Sequence, residues 1–91
     1  MAIFAVTITY GDTDARDRAR PSHREYLQSQ FDSGTLISSG PFADGTGALI
    51  VYESESESAL QNILDQDPYW QTPGVLGGVT IKEWNRHFCR C

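Results

Sequence analysis

An α+β fold, one antiparallel sheet with helices on a single face, is the architecture this sequence predicts, and three observations predict it. Apolar residues alternate with a period of two near both ends of the chain. Two inner segments repeat them at helical spacing instead. Turn residues then divide the 91 residues so that the elements follow in the order β-α-β-β-α-β.

Phe4, Val6, Ile8 and Tyr10 alternate with Ala5, Thr7 and Thr9, which is the pattern of a half-buried strand over Ile3–Tyr10. Gly11-Asp12-Thr13-Asp14 ends it. Pro21 suits the first turn of a helix, where a missing N–H leaves nothing unpaired; a start nearer Asp14 with a kink at Pro21 is the alternative. Tyr26, Leu27 and Phe31 recur at helical spacing. His23, four residues before Leu27, falls on or beside the face that meets the sheet, and Gly34 stops the helix. Thr35–Ser39 reads as a short strand ended by Gly40-Pro41, Phe42–Gly47 as a hairpin loop and Ala48–Glu53 as a central strand. Ser54 with Glu57 three residues later fits a capping box. Ala59, Leu60, Ile63 and Leu64 give the second helix its buried stripe, and Pro68 ends it near Gln66. A loop containing Gly77 and Gly78 leads into a last strand from Val79 to about Asn85. The order is that of a ferredoxin-like βαββαβ sandwich with a four-stranded antiparallel sheet. One domain over residues 1–88 accounts for the chain, with 89–91 as a C-terminal tail. Cys89 and Cys91 stand too close together at its end to staple a core.

The net charge of −5 and the lack of any basic stripe argue against nucleic acid or an anionic membrane as partner. No apolar run has transmembrane length, and Met1–Val6 is too short and lacks a basic leader for a signal peptide, so a cytoplasmic protein is expected. His23 and His87 lack a cysteine or carboxylate cluster at short range, so no metal site is expected. The strands carry apolar residues on both faces: Ile3 and Ala5 oppose Phe4 and Val6, and Leu49 and Val51 oppose Ile50 and Tyr52. An uncovered apolar sheet face is unfavourable in water, which predicts a homodimer stacked through the open face.

Chain reversals alone bring two distant segments together. The first helix begins, and the second ends, at the same end of the sheet, so His23 and Asp67 are expected to meet there, near the Ser39-Gly40-Pro41 corner. A carboxylate that accepts from one imidazole nitrogen fixes the tautomer and supports proton transfer at the other. Gly40 allows close backbone approach, and N–H groups near Ser39 are candidates to hold an oxyanion. Arg16, Arg18, Arg20 and Arg24 crowd around His23 and suit an anionic or phenolic small molecule; Phe42, Tyr69 and Trp70 are candidate pocket walls. Each feature also has an ordinary reading. A histidine near a helix start is commonly a cap, Asp-Pro commonly ends a helix, and the arginines have Asp12, Asp14 and Asp17 as surface partners. Asp65 is the weaker carboxylate, and His87 a bystander.

Arg20-x-x-His23-x-x-Tyr26-Leu27, Gly34-x-Leu36, Ser39-Gly40-Pro41, Leu49-Ile50-Val51 and Asp67-Pro68-Tyr69 together resemble the YciI-like (YCII-related) proteins over about residues 3–84. The resemblance implies a dimeric α+β barrel, similar to muconolactone isomerases and small quinol monooxygenases. It implies a His-Asp pair at the active site, carried here by His23 and Asp67. The family's best-defined activity is elimination of HCl from a chlorinated hydroxyhydroquinone. The segment from Pro41 to Gly47 is short for the family, which bears on pocket size. The expectation is a cofactor-independent lyase or isomerase acting on a small aromatic or cyclic oxygenated metabolite. In it His23 moves the proton, Asp67 orients the ring, and Ser39, Gly40, Arg20, Arg24, Phe42 and Tyr69 bind substrate. The alternatives are a non-catalytic ligand-binding dimer or assembly subunit and, third, a quinol-type monooxygenase.

Overall fold

The computed structural model describes residues 1–90. Its elements are β1 (Ala2–Tyr10), α1 (Thr13–Asp32), β2 (Leu36–Pro41), β3 (Gly47–Ser54), α2 (Glu57–Asp65), α3 (Pro68–Gln71) and β4 (Leu76–Glu83). The strands form one antiparallel sheet in the order β2-β3-β1-β4. The expected α+β sandwich is present, with one short helix more than the sequence suggested. Among the described residues no helix is long and apolar enough to cross a membrane. Cys91, part of the expected tail, lies outside the described residues.

Registry places Phe4, Val6 and Ile8 beside Tyr52, Ile50 and Ala48 on one sheet face. These six are buried and join Leu60 and Leu64 of α2 and Ala15 and Ala19 of α1 in a single core. The opposite face carries Ala5, Thr7, Leu49 and Val51, flanked by Thr80 and Lys82. It is therefore more polar than alternation in β1 and β3 alone suggests. Leu49 is 38% exposed, whereas Val51, at 5%, is buried outside the core cluster.

Several boundaries differ from expectation, each for a local reason. α1 begins at Thr13, where Asp12 caps the Asp14 amide, and it carries Pro21 inside. The earlier start therefore holds, not the one at Pro21. The buried stripe is Ala15, Ala19 and His23, spaced by four and continued by Leu27. Phe31, expected on that stripe, is 57% exposed. At the C-terminus the Gly34 amide bonds to Phe31 and the Thr35 amide to Gln30, with Gly34 at φ +85°: a Schellman closure that favours glycine. α2 is capped by Ser56, which accepts from the Ala59 amide, and not by Ser54, which ends β3 and donates to the Ser56 carbonyl. With alanine three residues beyond the cap, no capping box forms. β2 continues through Gly40 and Pro41, β4 begins at Leu76 and includes Gly77 and Gly78, and it ends at Glu83 rather than Asn85.

The two main helices are unequal, and the inequality shapes one end of the molecule. α1 has 20 residues and α2 only 9, about 30 Å against about 14 Å of helix. α2 thus stops opposite the middle of α1, and α3 and the loop to β4 pack along the remainder. Hydrogen bonds from Gly11 to Val75 and from Asp12 to Gly74, both 2.7 Å, tie that loop to the start of α1.

Gly47, at the start of β3, faces Thr9 of β1 so closely that a Cβ would collide with the Ile8 carbonyl oxygen, whereas a Cβ at Gly40 meets open space. Gly47→Ala is expected to destabilise by at least about 2 kcal/mol, lowering Tm on the order of 10 °C. Gly40→Ala is expected to stay within about 0.5 kcal/mol. Thermal unfolding of the two variants beside the native chain checks both; equal Tm values would refute the close approach.

Candidate active site

His23 enters the site as the third member of the α1 stripe, so it sits in mid-helix and not at a helix start. Asp67 enters because Pro68 disfavours helical geometry at the residue before it. At φ −73° and ψ 129° Asp67 leaves α2 extended, and Pro68 starts α3 at the position where proline is favoured. The Asp67 side chain then caps α3, with Oδ1 accepting the Tyr69 amide at 2.9 Å. The same Oδ1 lies 2.7 Å from His23 Nδ1 across 44 residues of sequence. His23 is 7% exposed and Asp67 fully buried.

A carboxylate oxygen accepts, so Nδ1 carries the proton and Nε2 is left with a lone pair. The tautomer is assigned from this hydrogen-bond pattern. The Tyr69 ring lies parallel to the imidazole, at 3.6 Å between centroids and an interplanar angle of 3°. Tyr69 is itself 3% exposed, its ring meets Tyr10 edge to face at 6.4 Å, and its side chain hydrogen-bonds Arg20. That hydrogen bond is the main reason the Arg20 guanidinium is held above its ordinary pKa; Asp17, at 3.4 Å, adds to it. Burial, followed by Tyr69, pushes the Tyr10 phenol up, while Arg16, Arg20 and Arg24 pull it down. Arg16 lies 4.2 Å above the Tyr10 ring.

His23 opens onto a cavity of about 360 Å³ between α1 and the β2–β3 side of the sheet. Arg20, Arg24, Ser39, Gly40 and Tyr69, all expected there, line it; Leu27, Ala48 and Ile50 supply apolar wall, with Tyr10 and Pro41. Phe42 does not: it is 40% exposed beyond Pro41, in the hairpin. Asp67 lies behind His23 rather than in the lining. No carboxylate lines the cavity, so arginine and histidine set its polarity within an acidic protein. Arg20 is engaged with Asp17 and Tyr69, whereas among the described residues Arg24 makes no ion pair.

The expected backbone donors divide in two. Phe42 N–H bonds the Gly47 carbonyl across the β2–β3 ladder, so by antiparallel alternation Gly40 also points its N–H at β3, while Ser39 points its N–H to the free edge. Pro41 has no N–H to offer. Ser39 is thus the residue of this corner with an amide left over, and the Gly40 side-chain position faces the opposite side of the sheet, paired with Leu49. His87 is exposed and far along the chain from any of these groups. The described residues contain no group of three or more His, Cys, Asp or Glu able to hold a metal ion. The walls Tyr10, Ala48 and Ile50 were legible in the sequence only as core; strand registry is what brings their edge to the cavity.

The YCII-related domain model matches residues 2–85. Protein YciI of Escherichia coli is 33% identical over 85 residues, covering 82% of this chain and 86% of its own, and the protein of the same name from Shigella flexneri matches equally. Among solved structures, 5-chloro-2-hydroxyhydroquinone dehydrochlorinase (TftG) from Burkholderia phenoliruptrix, in complex with 2,5-dihydroxybenzoquinone, superposes with a TM-score of 0.79 at 17% identity, covering 93% of this chain and 95% of that one. Muconolactone isomerase superposes at 0.74 with 20% identity, covering 93% and 90%. At these identities the two structures establish the fold alone, an α+β sandwich with a four-stranded antiparallel sheet. On the family model and the YciI relatives, the chain belongs to the YCII-related family.

Proposed function

We propose that this protein is a small acid–base enzyme, a lyase or isomerase, acting on an anionic aromatic or cyclic oxygenated metabolite. The observation that carries the reading is the 2.7 Å bond from His23 Nδ1 to buried Asp67, behind a cavity lined by His23 and by the cationic Arg20 and Arg24. His23 Nε2 takes a proton from a carbon or hydroxyl of the substrate. The electron pair left behind either expels a leaving group as an anion, forming a new double bond, or is reprotonated by the same imidazolium at a neighbouring atom. Asp67 holds the ring and offsets the positive charge that it gains. The parallel Tyr69 ring offers its π-face to that cation. Arg24 anchors an acidic or phenolic group, and the Ser39 amide binds the oxygen on which charge develops. The reading requires one base and no cofactor. It includes a homodimer formed through the face carrying Leu49 and Val51.

The activities named for the two fold neighbours choose the first substrates to screen: chlorinated and unchlorinated hydroxyhydroquinones, and lactones of the muconolactone type. With a turned-over substrate, His23→Asn is expected to lower kcat/KM about 10²- to 10⁴-fold in a folded protein of unchanged mass. A rate unchanged by the substitution would reject the dyad, and a panel bound tightly but never converted would favour a ligand-binding module instead. Arg24→Gln is expected to raise KM for anionic substrates about tenfold, about 1.4 kcal/mol, with kcat little altered. An equal loss on an uncharged analogue would show that Arg24 does not read charge. Light scattering is expected to give twice the chain mass, and a monomer would remove the stacked-sheet dimer.

A further inference from the structure

Asp67 accepts two hydrogen bonds, and both fall on Oδ1. Its Oδ2 is buried and meets no protein partner. The Tyr52 hydroxyl is in the same condition: the residue is fully buried and the hydroxyl has no protein partner. An unsatisfied buried group costs about 1–3 kcal/mol, and nearly all such groups in folded proteins are paired with protein or with an internal water. Two of them in one small core call for a common explanation.

They lie in the same part of the molecule. Tyr52 stands on the helix-covered face of β3, paired with Phe4 and Leu36, and Asp67 closes the α2–α3 junction that packs over that face. Burial first, and then the Asp67 and Tyr26 side chains, push the Tyr52 phenol above its ordinary pKa. The Tyr52 hydroxyl and Asp67 do not bond directly. Tyr26, the other phenol raised by burial and then by Asp67, donates to the Ile63 carbonyl at 2.6 Å and has no hydrogen left to give.

We propose that one internal water bridges Tyr52 Oη and Asp67 Oδ2, which makes Tyr52 a positioning residue for the His23–Asp67 pair. The phenol donates to the water, the water donates to Oδ2, and Oδ1 stays free for His23 Nδ1–H and the Tyr69 amide. Both carboxylate oxygens are then held, so the carboxylate cannot rotate away from the imidazole. The proposal concerns the pair itself and is tested without a substrate.

The test is a high-resolution crystal structure of the native protein together with the His23 Nδ1–H resonance in native, Tyr52→Phe and Tyr26→Phe proteins. The expected result is an ordered water within hydrogen-bond distance of both oxygens. The His23 resonance should then move in Tyr52→Phe and stay in place in Tyr26→Phe, whose hydroxyl is spent on the backbone. A general loss of stability would lower Tm in both variants without separating them in this way. A direct Tyr52–Asp67 bond, an empty site, or a His23 resonance that ignores Tyr52→Phe would each overturn the proposal.

Discussion

One oxygen atom holds this site together. Asp67 Oδ1 accepts the amide that begins α3 and the imidazole N–H of α1, so a helix cap and a long-range polar contact are the same interaction. Neither donor has another acceptor within its own element: the amide belongs to a first turn, where no carbonyl precedes it, and the imidazole is sunk in a helix stripe. Loss of that oxygen strands both inside the core. It also frees Tyr69, whose ring fixes the second dimension of the imidazole plane by lying parallel to it. Position along the helix, rotation about the ring bond and tautomer thus trace to one carboxylate.

The surrounding charge is arranged in layers. The protein is acidic as a whole, yet its carboxylates are kept out of the cavity lining, to which α1 contributes two arginines, Arg20 and Arg24. Of these, Arg20 is spent on Asp17 and the Tyr69 side chain and serves the frame. Arg24, one turn further on, is uncommitted. Two like residues four positions apart therefore have different work, decided by whether an acidic residue stands three positions before. Asp17 does so for Arg20; no acid does so for Arg24, where Pro21 stands instead.

Much of this was written plainly in the sequence, and the reasons for what was not are specific. Alternation in β1 and β3 and the Asp67-Pro68 step were legible because backbone geometry dictates them. The meeting of His23 and Asp67 followed from chain reversal, although Pro21 suggested a helix start beside His23, and it is the length mismatch between α1 and α2 that aligns the two. Ala15 and Ala19 are silent in the sequence because alanine is too weakly apolar to announce a stripe, while Phe31 is conspicuous by its size and lies outside the stripe. Phe42 follows the Ser39-Gly40-Pro41 corner in sequence, but the hairpin carries it past Pro41 and out of the cavity lining. α3 is a single turn, too short to display a period, and Gly77 and Gly78 suggested a loop where registry with β1 makes a strand.

The two outer strands carry irregularities that bear on how the molecule behaves in a crowded solution. A sheet edge is a row of unpaired amides and carbonyls, a template on which further copies can polymerise. β2 slips register between Leu36 and Ser38 and ends on a proline that has no amide to lend. β4 slips opposite Thr9 and Tyr10 and carries Lys82 near its end. Neither margin presents a long flat run to a neighbour. The irregular β2 edge that leaves the Ser39 amide beside the pocket also guards the protein against fibrillar self-association, so a substitution that straightened β2 would trade solubility for order.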